Sequence, residues 1–151
     1  MTFTDQFSES NGAPIHYEDR ELIASYTLPV SEGDCIRLRF AQATDSPVQG
    51  LGISCFDCVV SAATTIAKSM ALWTDSAPEE VTLRVSKARA GARLVLHNQW
   101  RDAKHGSTMY HLNNAAMHPV LQPDGSVVLN CSDGWGEPDF TDLVVIVSRC
   151  A

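Results

Sequence analysis

Four carboxylates stand within ten residues in the stretch Asp133-Gly-Trp-Gly-Glu-Pro-Asp-Phe-Thr-Asp142, with no lysine or arginine among them. Like charges on one short loop repel each other, and a hard cation placed between them turns that repulsion into binding. Ca²⁺ takes roughly 6–8 oxygen ligands, chiefly loop carboxylates and carbonyls. Gly134 and Gly136 let the backbone curl back, and Pro138 stiffens the middle of the run. The last carboxylate abuts the apolar run Leu143 to Val147, which reads as a buried strand, so free solvation is hardest there. The spacing is not that of an EF-hand. It predicts a calcium loop with Asp133, Glu137, Asp139 and Asp142 as ligands. The competing reading is an acidic, solvated turn between two strands.

Other residues offer less chemistry. Four of the five histidines, His97, His105, His111 and His118, fall close together in sequence. They lack the HExxH or i, i+4 helical spacing of a metal pair, so independent histidines are expected. Cys55-Phe-Asp-Cys58 has no second CxxC or histidine pair to complete a zinc site, and reads as buried thiols. The five cysteines are an odd number, which excludes a fully paired disulfide framework. Asn98-Gln-Trp-Arg-Asp102 with Lys104 mixes an indole with amides and cations that suit sugar hydroxyls, and an ordinary connecting loop is the expected reading. Trp135 lies inside the acidic run, where it walls the site or anchors the loop. No Ser-His-Asp set, nucleophile elbow or phosphate-binding glycine loop is written.

The elements that position these residues are strands. Ile36, Leu38 and Phe40 alternate with Arg37 and Arg39, Val81, Leu83 and Val85 with Thr82, Arg84 and Ser86, and Val127, Leu129 and Cys131 with Val128 and Asn130. Further strands are expected over 22–28, 52–60, 93–98 and 143–148, and 64–73 reads as a strand with irregular ends. Turn residues separate them at 31–34, 44–47, 90–91 and 123–125. The expected fold is all-β, an antiparallel sandwich of lectin-like, Greek-key type, over residues 21–151, with residues 1–20 a polar extension that wraps or frays. The chain has 151 residues and a net charge of −7, which argues against nucleic acid and anionic membranes as partners. No run is apolar enough to insert in a bilayer, and no signal peptide is written at the start, so cytoplasmic synthesis with possible non-classical release is expected.

Residues 131–147 resemble the calcium loop and last strand of the bacterial fucose-binding lectin II family, with Asp133, Glu137, Asp139, Phe140 and Asp142 on its acidic and aromatic positions. Tyr26-Thr-Leu-Pro29 and the strand ending Phe40-Ala-Gln42 resemble that family's opening strand and early loop. The resemblance implies a β-sandwich lectin that holds one or two Ca²⁺ ions coordinated directly by sugar hydroxyls. Asp139 and Asp142 would bridge, and Thr141 would stand where the family has an asparagine ligand. It further implies that Gln42, Ala43, Thr44 and Asp45 rim the sugar site together with Trp135. The family's C-terminus reaches a partner's site, which implies a homodimer or larger assembly. Here the chain ends Ser148-Arg-Cys-Ala151, one residue shorter and basic.

The function expected is calcium-dependent carbohydrate binding, of a fucose- or mannose-type sugar or glycan, without catalytic residues. The alternatives are a small calcium-containing isomerase, lyase or cyclase using His111, His118 or Asp102 as acid-base groups, and a calcium-stabilised interaction module.

Overall fold

The computed structural model describes residues 1–150, and their hydrogen bonding is that of an antiparallel β-protein. The strands are β1 (Ile15–Tyr17), β2 (Arg20–Leu22), β3 (Tyr26–Pro29), β4 (Cys35–Ala43), β5 (Gln49–Phe56), β6 (Val59–Ala62) and β7 (Thr65–Ala67). They continue as β8 (Ser69–Trp73), β9 (Glu80–Ser86), β10 (Arg93–Arg101), β11 (Thr108–Met109), β12 (Ala116–Leu121), β13 (Val127–Ser132) and β14 (Leu143–Cys150). A seven-stranded sheet runs β12-β13-β14-β4-β9-β6-β7. A five-stranded sheet runs β11-β10-β5-β8, with β3 also paired to β10. Period-2 alternation works as expected: Ile36, Leu38, Val81, Leu83, Leu129 and Val145 from the larger sheet meet Leu51, Ile53, Leu94 and Leu96 from the smaller one in a single core. Arg37 and Arg39 face water.

At one end of the sandwich this core turns polar. Gln49 has the inward parity of Leu51 and Ile53, and Asn98 that of Leu94 and Leu96; both are buried. Asn98 Nδ2 donates to the Ser132 carbonyl at 2.9 Å. Polar groups are buried there because they have loop groups to bind.

Residues 1–20 wrap onto the fold rather than fray. Thr2 caps helix α1 (Phe3–Glu9) in a reciprocal capping box with Asp5. Phe3 and Phe7, one turn apart, bury against Ile15, Leu22 and Phe140, the aromatic residue of the acidic run. Several other sequence expectations are corrected. The span 22–28 breaks into β2 and β3. The span 52–60 breaks at Asp57, with φ +58°, where the chain turns out of β5 in the smaller sheet and crosses to β6 in the larger one. The stretch from Asn98 to Arg101 is strand rather than loop, and its inward positions hold Asn98 and Trp100. Strand β12 has no clean alternation and carries Pro119, which fits its place at a sheet edge.

Cys35 and Cys150 form a disulfide between β4 and β14, 115 residues apart in sequence. Cys55, Cys58 and Cys131 remain thiols. Burial raises all three, Cys55 to about 11, so none is a ready thiolate. Ala151 lies outside the described residues.

Candidate functional site

The acidic run leaves β13 at Ser132 and returns into β14 at Leu143. Its first carboxylate is its most enclosed group: Asp133 is only 1% exposed. Asp133 Oδ2 accepts from Gln49 Nε2 at 2.8 Å, and Oδ1 accepts from the Trp135 backbone at 2.9 Å. The Asp133 N–H in turn donates to Asp142 Oδ2 at 3.0 Å, which ties the two ends of the loop together. Asp139 Oδ1 accepts from the backbone and hydroxyl of Thr141, at 2.9 and 2.6 Å, an Asx-type turn that holds this carboxyl below its ordinary value. The Asp139 N–H donates to Ser132 Oγ at 3.2 Å. Gly134 packs so closely that an added Cβ would meet both the Trp100 indole and the Leu112 carbonyl at 2.6 Å.

These contacts bring like charges together. Burial pushes Asp142 up to about 7, helped by the charges of Asp133 and Asp139. Burial also raises Asp133. The Asp133 and Asp142 carboxyls influence each other's ionisation, and the Asp133 N–H donated to Asp142 Oδ2 is the hydrogen bond that joins the two residues. The Oε1 atom of buried Gln49 has no protein partner.

The donor set fits a hard cation in chemistry. Asp133, Asp139 and Asp142 supply oxygens with no lysine or arginine to neutralise them. In geometry the fit is incomplete, because no group of three or more His, Cys, Asp or Glu side chains converges on an ion position among the described residues. Glu137 and Thr141 are exposed on the outer part of the loop. A cation here would be held by Asp133, Asp142 and Asp139, and its charge would offset their mutual repulsion.

The early loop lies alongside. Leu143 pairs with Ala43 and Val144 with Gln42, and the Thr44 N–H donates to the Asp142 carbonyl at 2.9 Å. Residues a hundred positions apart in sequence are therefore adjacent at the acidic end of the sandwich. Gln42, Ala43 and Asp45 open onto a shallow hollow of about 380 Å³. Trp135 is 68% exposed and lines a different hollow, of about 260 Å³, with Pro47, Trp100 and Leu112. The sequence-predicted rim is thus divided between two depressions. Gln49, Asn113, which donates to the Gly134 carbonyl at 3.1 Å, and Ser132 belong to the loop's support, and sequence reasoning missed them. The inward parity of Gln49 between apolar neighbours was the available signal.

The histidines separate into individual roles, with one exception. His118 Nδ1 contacts the Glu21 carbonyl and the His105 N–H donates to Asp102. The acid-base set His111, His118 and Asp102 makes no shared contact. His97 and His111 do meet, with ring centroids 5.4 Å apart, and Tyr110 packs against both. Burial and the neighbouring His111 hold His97 below its ordinary value.

None of the known protein-family models matches this chain, and no curated protein or solved structure is similar to it.

Proposed function

We propose that the protein is a carbohydrate-binding, lectin-like β-sandwich in which Ca²⁺ at the acidic loop presents a fucose- or mannose-type sugar. The observation that carries this reading is the hydrogen-bonded junction of the two loops, with the Asp133–Asp142 carboxyl pair beside Gln42, Ala43, Thr44 and Asp45. Sugar hydroxyls are weak neutral ligands that displace water from a calcium ion. The exposed Thr141 and Asp45 can bond the hydroxyls left over, and Trp135 offers an apolar ring face nearby. The negative charge of Asp45 disfavours acidic sugars at this loop.

Assembly into a homodimer belongs to the same reading. Cys150 is tied to Cys35 within the chain, and the exposed Val120 and Leu121 on the edge strand β12 offer an apolar surface for it. A monomer in light scattering at micromolar concentration rejects that part. The disulfide belongs with oxidising surroundings, which supports release from the cell.

The experiment is calorimetric titration against a monosaccharide panel, with calcium and then with chelator, on the parent chain and Asp139→Ala. Calcium binding, an accompanying gain of about 2.7 kcal/mol in stability at a hundredfold excess over Kd, and calcium-dependent sugar heats are expected. An unchanged calcium titration in Asp139→Ala, or a melting temperature indifferent to chelator, removes the loop as a cation site.

A further inference from the structure

A trough of about 750 Å³ runs along the outer face of the five-stranded sheet, on the side of β10 that turns away from the core. At one end the Arg93 guanidinium stacks over Phe56, 4.4 Å from the ring centre. At the other end lie His97, Tyr110 and His111, the histidine rings packed on the tyrosine at 5.0 and 5.3 Å. The floor is kept low by small residues. His97 lies so flat over Gly52 that an added Cβ there would meet its ring at 2.3 Å.

Gln99 lines this trough at only 4% exposure. The His97 ring and Gln99 Oε1 lie side by side over Gly52, and Gln99 Nε2 has no hydrogen-bond partner. A buried donor without an acceptor is costly and rare in a folded protein, and an acceptor supplied by a ligand satisfies it. Charge gives a second, independent indication. No Asp or Glu lines the trough, although the chain carries a net charge of −7, and Arg93 is its permanent cation. Length gives a third. Arg93 and Gln99 lie six positions apart on one strand, on the order of 20 Å at the β-strand rise. A single ring cannot touch both, whereas a short chain of rings can. Phe56 and Tyr110 are exposed at the two ends, where they offer stacking faces, and the Ser54 hydroxyl lies between.

We propose that this trough is a second binding site, for a short linear oligosaccharide bearing carboxylates, laid along β10 with a carboxylate on Arg93 and a hydroxyl or ring oxygen on Gln99 Nε2. The site uses no group of the acidic loop and shares with the loop reading only the sugar nature of its ligand. The two sites differ in sign: the loop attracts cations and repels acidic sugars, and the trough selects acidic ones.

The test is calorimetric titration of the full chain in excess chelator with tetragalacturonate, galacturonate and maltotetraose. Tetragalacturonate is expected to bind, with the monomer and the neutral chain each at least about tenfold weaker, because charge-assisted hydrogen bonds are roughly twice as strong as neutral ones. Arg93→Gln and Gln99→Met are each expected to weaken it about tenfold. Arg93 is exposed, so its substitution spares the core, and near-ultraviolet circular dichroism checks the fold of Gln99→Met. Equal affinity for maltotetraose, indifference to Arg93→Gln, or loss of binding in chelator overturns the proposal. Loss in chelator would assign the acidic sugar to the loop. Binding in the trough with no calcium-dependent sugar heats would leave this site standing and the loop reading alone refuted.

Discussion

At the end of the sandwich Asp133, Asp139 and Asp142 stand close enough to repel, whereas along the outer face of the five-stranded sheet no carboxylate lines the trough at all. In the loop, donors are plentiful: backbone N–H groups, the Thr141 hydroxyl and the Gln49 amide all point at carboxylate oxygens. In the trough a donor is left over. The first region lacks positive charge, and the second lacks negative charge and keeps an unpartnered donor, so each names the ligand that would relieve it. One scaffold supports both because alternation along β5 and β10 sends Gln49 and Asn98 inward beneath the loop and Gly52, His97 and Gln99 outward into the trough.

The largest expected effect tests whether the two regions stand or fall together. Cys35→Ser opens a loop of 115 residues and is expected to cost about 5 kcal/mol in a chemical denaturation series, since closure of loops this long is worth roughly that much. The disulfide touches neither region, so calcium and oligosaccharide affinities measured on the folded fraction should stay unchanged. A selective loss at one site would show that the regions are mechanically unequal.

A smaller effect separates them by one methyl group. Gly134→Ala drives a Cβ into a buried indole and a backbone carbonyl, neither of which can move away easily. It is expected to cost roughly 1–3 kcal/mol, as overpacking does, and to abolish the calcium response. Gly52→Ala meets only the imidazole of His97 and the Gln99 amide, side-chain ends that can swing into the trough. It should cost less than about 1 kcal/mol while emptying the trough of its ligand. Thermal melts of both variants decide this, and a reversed order would mean that His97 is the more rigid element.

A third effect is a slope with pH rather than a step between variants. Asp142 ionises at about 7 in the fold, against an ordinary value of about 3.9. Between those values the unfolded chain sheds the proton and the folded chain keeps it, so stability without calcium should fall as pH rises from about 4 to 7 and then level off. Burial sets the raised Asp142 value first, the charges of Asp133 and Asp139 add to it, and the Asp133 N–H opposes it. Asp142→Asn removes this slope, and saturating calcium flattens it. Urea titrations across that range measure it.

Much of the loop was legible in sequence because its chemistry is local. The carboxylates and the two glycines lie in one run, and that crowding alone pointed to a cation. Its supports were not legible, since Gln49 and Phe3 come from distant elements, and nothing in a polar N-terminal stretch shows that Phe3 will bury against Phe140. The sandwich was legible from alternation at Ile36–Phe40, Val81–Val85 and Val127–Cys131. The trough was hidden, because His97, Gly52 and His111 meet only once β10 pairs with β5 and the segment after β11 folds over them. The Cys35–Cys150 pairing was hidden as well. An odd cysteine count says that one thiol is unpaired, and only the register of β4 against β14 shows which two meet.

That covalent tie has a mechanical consequence. Pulled between residues 1 and 150, the oxidised chain can lengthen only through the segment ahead of Cys35, because the following 115 residues sit inside a closed ring that bears the load through one bond. A reductant would release on the order of 400 Å of hidden contour, at roughly 3.3–3.6 Å per residue. The acidic loop and the β5 and β10 walls of the trough lie on that shielded stretch, whereas Ser25 and Thr27 on β3 lie ahead of it, so tension would strip one edge of the trough first and spare the loop's own carboxylates until a reductant opens the ring.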